Sequence, residues 1–206
     1  MIETDIILAL RFAGPQTSCT LADRLGIALQ DAEQVLDALG AQGWVERLAI
    51  SDGGSTYRLS GAGRAHAHSL CALEREALGP AVAEIQSAFE VSDRSLKEIL
   101  HRWQVKPLGS TSIPNDHADP RWDAAVLRDL ARVVDSFLES GLSSLVDLRP
   151  RYGQYARRLR AALQRAGGDD PRWVAGLDVD SVHGVWWELH EDLLCMLGRS
   201  RDPEST

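Results

Sequence analysis

The chain has 206 residues and a net charge of −8, from 22 Lys and Arg against 30 Asp and Glu. With 44% hydrophobic and 25% charged residues, it has the composition of one or two globular domains with real cores, which excludes a disulfide-stapled miniprotein. No apolar run reaches the ~18 residues of a membrane span. The acidic excess excludes a globally basic nucleic-acid binder and leaves room for a local basic patch. The acidic start, Met1-Ile2-Glu3-Thr4-Asp5, lacks the basic-then-apolar order of a signal peptide. Cys19, Cys71 and Cys195 are odd in number and far apart, a pattern of reduced thiols in a cytoplasmic protein rather than of a disulfide framework.

The first seventy residues read as a compact α+β module. Ile6, Ile7, Leu10 and Phe12 give a short apolar helix that stops at Gly14-Pro15. Thr20, with Asp23 three residues on, has the spacing of a capping box for a helix through Leu25, and Gly26-Ile27 is a tight turn. Residues 28–42 resume helix, with Ala32, Val35, Leu36 and Leu39 on one face and Asp31, Glu33, Gln34 and Asp37 on the other. Two β-rich runs, 44–50 and 56–60, flank Asp52-Gly53-Gly54 and predict a hairpin. Helix, helix-turn-helix, hairpin, helix is the order of a winged helix.

The segments TLADRLGIALQDAEQVLDALGAQGWVERL, from Thr20, and YRLSGAGRAH, from Tyr57, resemble the winged-helix domains of MarR-type and related bacterial regulators. Gly43-Trp44-Val45 entering the wing and Leu59 to Arg64 leaving it carry most of the likeness, which covers about a third of the chain. The resemblance implies a winged-helix fold; it says less of function, because winged helices also mediate protein contacts.

Residues 62–89 read as helical, with a break at Gly79-Pro80. Ser92 has the character of an N-cap for 93–104, with Leu96, Ile99, Leu100 and Trp103 inward. Residues 106–119 have no periodicity and read as the longest loop. Asp119-Pro120 starts a long amphipathic helix with Trp122, Val126, Leu130, Val133 and Phe137 on its stripe, ended by Gly141. Further helices are expected at 150–166 and 180–197. The expected class is therefore mainly α: a winged helix with a two-stranded wing at 1–68, a helical connector at 69–91, an all-α effector or dimerisation domain at 92–198, and a flexible tail at 199–206. The runs around Pro114 to Asp119 and His183-Gly184-Val185-Trp186-Trp187-Glu188-Leu189-His190 resemble a set of actinobacterial winged-helix proteins. That resemblance implies an association with phosphoenolpyruvate-utilising, dikinase-like enzymes and carries over no catalytic residue.

Three groups of residues are candidates for function. Arg24, Arg47, Arg58 and Arg64 could meet phosphates, and Gln30 and Gln34 could read adenine from the second helix of the helix-turn-helix. Against this, residues 28–43 hold Asp31, Glu33 and Asp37 and no Lys or Arg, and the wing tip 51–55 has no base. The second group is basic: Arg149, Arg151, Arg157, Arg158, Arg160 and Arg165 occur with no acid among them. Arg151, Arg158 and Arg165 recur at i, i+7 and i+14, with Arg157 beside them, so an anion or an acidic partner could bind there, unless this is a solvated face paired with the protein's own acids. The third group, Trp103, Trp122, His183, Trp187 and His190, could line a ligand pocket, or its rings could be core. His183 and His190 lie ~10 Å apart along a helix, too far to share one metal without help from Asp116, His117 or Asp119, so no metal and no cofactor is expected. No Gly-x-Ser-x-Gly, phosphate loop or His-Glu-x-x-His is present, and an enzyme is not expected.

The leading expectation is a one-component transcriptional regulator, a homodimer binding duplex promoter DNA, with a helical half that dimerises or senses a small-molecule effector. The alternative is an accessory subunit of a metabolic enzyme, docking through the acidic 28–43 face and the arginine stripe. A third reading, a small-molecule binding protein, rests on the aromatic helix alone.

Overall fold

The computed structural model describes residues 2–50, 53–109, 111–168 and 170–199. It is mainly α, with two small antiparallel two-stranded sheets. The chain divides into two compact units, Met1–Gly79 with Glu191–Thr206, and Pro80–His190. One break, at Gly79-Pro80, takes the place of a separate 69–91 connector, and the first unit includes sequence from beyond the second. The tail expected at 199–206 lies, Arg199 excepted, outside the described residues, as do Ser51 and Asp52 of the wing tip.

In the first unit, α1 (Ile2–Ala13) is followed by α2 (Ser18–Leu25) and α3 (Leu29–Ala41). The cap of α2 is Thr17 rather than Thr20: Thr17 Oγ1 accepts from the Thr20 backbone N–H at 3.1 Å. Both threonines suit the role, and Gln16, bridged to the wing, fixes which one starts the helix. Gly26, at φ 68, ends α2 in the left-handed conformation that glycine adopts without steric cost. The wing is β1 (Val45–Ala49) paired with β2 (Ser55–Leu59), Val45 opposite Leu59 and Arg47 opposite Tyr57. Gln16 adds a short third rung by exchanging two backbone hydrogen bonds with Tyr57. One core unites these pieces: Ile6, Ile7 and Leu10 of α1, Leu21 of α2, Leu36 and Leu39 of α3, and Val45, Tyr57 and Leu59 of the wing.

The run Leu59 to Arg64 has a local physical basis. Ser60 caps α4 (Gly61–Leu78), accepting from the Gly63 N–H at 3.0 Å while donating to the Gly43 carbonyl at 2.6 Å. A Cβ on Gly63 would run into the Trp44 carbonyl, whereas one on Gly61 would meet open space. Helix α4 thus starts pressed against the entry to the wing, and Trp44 stacks on His66 with ring centroids 3.8 Å apart.

The second unit opens with α5 (Ala81–Gln104), a single uninterrupted helix. Ser92 therefore does not cap a new helix. The stripe Val82, Ile85, Phe89, Leu96, Ile99, Leu100 and Trp103 is buried along its whole length, and Asp93 accepts from the Trp186 indole at 3.1 Å. The segment read as loop is also different: β3 (Val105–Leu108) and β4 (Thr111–Pro114) form a hairpin, with Pro107 opposite Ser112. Its prolines masked it, but a strand in a two-stranded sheet has an unpaired side on which a missing N–H is tolerated. The second half is accordingly helical with one small hairpin rather than all α.

Helix α6 (Pro120–Phe137) begins where expected, Asp119 capping the N–H groups of Arg121 and Trp122. Gly141 does not end the helical path. A π-helical turn, Leu138–Leu142, leads directly into α7 (Ser143–Leu148), and a Cβ on Gly141 would strike the Phe137 ring. That glycine makes room for an aromatic rather than stopping a helix. A 3-10 turn at Pro150–Tyr152, then α8 (Gly153–Ala166), α9 (Arg172–Ala175) and α10 (Val182–Met196) complete the chain. Residues 182–190 of α10 belong to the second unit and its remainder to the first.

Candidate functional sites

On the first unit, α3 presents Gln30 and Gln34 to solvent, and beside them Asp31, Glu33 and Asp37. Ala32, Leu36 and Leu39 fill its inner face, so the helix is held by its apolar stripe and its outer face is free to contact something else. The wing arginines do not act as a pair. Pairing partners across a ladder lie on the same face, and successive residues alternate. Arg47 therefore shares the core-side face with Val45 and Tyr57, while Arg58 lies opposite Glu46 on the other. Each has a local partner: the Arg47 Nε–H donates to Ser55 Oγ at 2.9 Å, and Arg58 is ion-paired to Glu46 at 2.8 Å. Both residues of the latter pair are about half exposed, so the pair contributes ~1 kcal/mol or less and yields readily to a phosphate. Arg64 is exposed and donates to the Leu59 carbonyl at 3.0 Å, and Arg24 is half-buried near the end of α2.

The arginine stripe of the second unit does not form a solvent-facing ladder. Arg158 is only 4% exposed and lies between Asp180, which takes two hydrogen bonds at 2.7 Å, and Glu188 at 2.8 Å. Burial works against its charge, but the hydrogen bonds to Asp180 and the charge of Glu188 outweigh it and raise the guanidinium above its ordinary range. Its fork is spent inside the protein. Arg151 packs over the Tyr152 ring at 4.1 Å and Arg165 over Trp173 at 4.3 Å, so both use the face of an aromatic. Arg157 is exposed. An external anion is thus offered separate arginines rather than a row.

The five proposed pocket residues fall into two separate groups, Trp103 with Trp122 at the end of α5, and His183, Trp187 and His190 along α10. Trp103 is buried with its ring 4.5 Å from His117, and Trp122 donates its indole N–H to the Arg102 carbonyl at 3.1 Å, both at the end of α5. His190 stacks on Phe89 at 4.9 Å. Phe89 and Trp103 are fourteen residues apart on one helix, ~21 Å along its axis, so these groups line no common pocket. Between them Phe89, Phe137 and Trp186 pack edge to face and stacked at 4.8 to 5.4 Å, a filled aromatic core. Trp187 is 39% exposed. His183 is half-buried on the same helix.

Two arrangements escaped the sequence reading. At the hairpin exit, His117 adopts φ 56, and its Nδ1 lies 3.0 Å from Asp123 Oδ2 and 3.2 Å from Asn115 Nδ2. Asn115 also donates to Trp103 O and Asp123 Oδ1, at 2.9 Å each. This network fastens the hairpin to α6 and fixes the His117 ring. Among the described residues no three His, Cys, Asp or Glu side chains form a metal-binding group. In the first unit, Cys71 of α4 and Cys195 of α10 bring their sulfurs to 2.7 Å, although 124 residues separate them. Sequence distance hid that pair.

Compared with known proteins, the chain matches no described protein family, no curated protein and no solved structure.

Proposed function

We propose that this chain is a winged-helix transcriptional regulator, binding duplex promoter DNA as a homodimer through α2, α3 and the β1–β2 wing. In this reading the second unit senses a small-molecule effector or dimerises. The observation that supports it most is α3, held by a buried stripe and turning Gln30 and Gln34 outward beside a two-stranded wing with exposed Arg47 and Arg58. Glutamine pairs with adenine in the major groove, and arginines flanking the helix supply phosphate contacts.

The test is fluorescence anisotropy of the purified protein on its own upstream DNA and on a random duplex, at several salt concentrations. A preference of ~10³-fold or more for the upstream fragment is expected. If Arg24, Arg47, Arg58 and Arg64 each meet a phosphate, log K falls with log salt at a slope of about −3.6 per winged helix. Because the wing arginines lie on opposite faces, Arg47→Glu and Arg58→Glu should differ in their effect. Equal, weak binding to both duplexes that vanishes at physiological salt would overturn the reading.

A second reading has its own support. Asp31, Glu33 and Asp37 are all exposed on α3, which has no base. A polyanion is repelled by such a face, and a basic protein surface is attracted to it. In that case the chain is an accessory subunit of a metabolic enzyme, a phosphoenolpyruvate-utilising one on the resemblance noted above. Asp31→Lys with Asp37→Lys should then abolish capture of the enzyme, whereas DNA binding would be strengthened by the same change.

A further inference from the structure

We propose that Cys71 and Cys195 are a site of oxidative modification, a thiol pair that a hydroperoxide converts into a reversible intramolecular disulfide. Their sulfurs are 2.7 Å apart, with the Cys195 thiol donating to Cys71 Sγ. Closing that gap to the ~2.05 Å of a disulfide bond takes a small movement of the side chains. The two residues differ in access, as such a pair requires. Cys71 is 2% exposed, which protects a lone thiol from oxidants, and Cys195 is partly exposed in the last turn of α10. Arg75, one turn beyond Cys71 on α4, puts its guanidinium where a side chain on Gly198 would stand, three residues after Cys195. That places a cation near the C-terminal end of the helix that carries Cys195.

The chemistry closes with peroxide as the only co-reactant. The Cys195 thiolate attacks one peroxide oxygen; the O–O bond breaks, the leaving oxygen takes a proton and departs as water or an alcohol, and the sulfur is left as sulfenic acid. Cys71 sulfur then attacks the sulfenic sulfur, its thiol proton leaves with the hydroxide as water, and the S–S bond forms. Two thiols are oxidised by two electrons and one peroxide is reduced. A dithiol reductant reverses the change. Cys19 is exposed on α2 and takes no part.

The test uses the full chain carrying Cys19→Ser, so that the two remaining thiols are the pair. Treatment with one equivalent of hydrogen peroxide should lower the intact mass by two hydrogens, leave no alkylatable thiol, and yield one peptide pair joining Cys71 to Cys195. Thermal unfolding of the product should rise by about 5–10 °C and return to its starting point with dithiothreitol. Adding Cys195→Ser should leave the buried Cys71 thiol alkylatable after unfolding despite the same treatment. Thiols that stay reduced, sulfinic or sulfonic acids in place of the disulfide, or a disulfide between two molecules would each overturn the proposal. The wild-type chain, digested after the same treatment, gives the same answer if the substituted chain does not fold.

Discussion

Arg158 shows how much a single residue can depend on distant sequence. Its own neighbourhood, six arginines and no acid between 149 and 165, reads as a basic surface. Its partners Asp180 and Glu188 arrive from further along the chain and draw the guanidinium inward. A buried ion pair gains little over a well-packed apolar core, but removing one member leaves charges stranded. Arg158→Met should therefore destabilise the protein by about 3–5 kcal/mol in urea unfolding, with two carboxylates left behind. A loss under ~1 kcal/mol, the range of exposed pairs, would mean that solvent reaches this site freely. The nearby apolar residues Tyr155, Leu159 and Ala162 carried the hint in the sequence. On a helix, Arg158 is three residues from the first, adjacent to the second and four from the third, so it borders the buried stripe.

At the level of elements, what was legible is what is decided locally. The helix from Asp119-Pro120, the α3 stripe and the hairpin around Gly53-Gly54 follow from caps, turns and periodicity within a few residues. The single α5 and the β3–β4 hairpin do not. Ser92 looks like a cap, and only the buried stripe on both sides of it makes the helix continuous. The start of α4 separates the two kinds of glycine in one motif. Gly63→Ala should destabilise by about 1–3 kcal/mol or more, because a methyl there meets the Trp44 backbone. Gly61→Ala should be neutral or slightly stabilising, since α4 has space for it. Equal melting temperatures for the two variants would refute this packing. The contact between α5 and α6 has a pH signature. Arg102, by its hydrogen bond, holds the Asp129 carboxyl below its ordinary value, with Arg132 assisting. A folded-state value lowered in this way adds stability that is present above the unfolded value and is lost as pH falls through the folded one. Asp129→Asn should thus lower stability at neutral pH by at most ~1 kcal/mol, the pair being partly exposed. The difference from wild type should disappear in acid below the ordinary carboxylate range. A gap that persists there would assign the effect to packing.

For the whole molecule, the division into units is the least legible feature, because no local signal says that residues after His190 belong with the first seventy-nine. The breaker pair Gly79-Pro80 reads in the sequence as a break within a 69–91 connector, with boundaries expected at 68/69 and 91/92, whereas the structure divides the units at Gly79-Pro80 itself. The return of α10 is a tertiary fact. A fragment of residues 1–79 has the core formed by Ile6, Leu21, Leu36 and Tyr57, yet lacks the segment carrying Cys195. It should unfold at a lower temperature than the first unit does in the full chain, by circular dichroism. Equal stability would mean that the C-terminal turns are an ornament to that unit.

The same arrangement sets a timetable during synthesis. The stretch that makes the wing leaves the ribosome early, but the turns of α10 that finish its unit are made only after all of residues 80–190. At ~5–20 residues per second the delay is roughly ten seconds. The second unit has its whole sequence before the first does, so α4 spends that interval without the segment that brings Cys195 to Cys71.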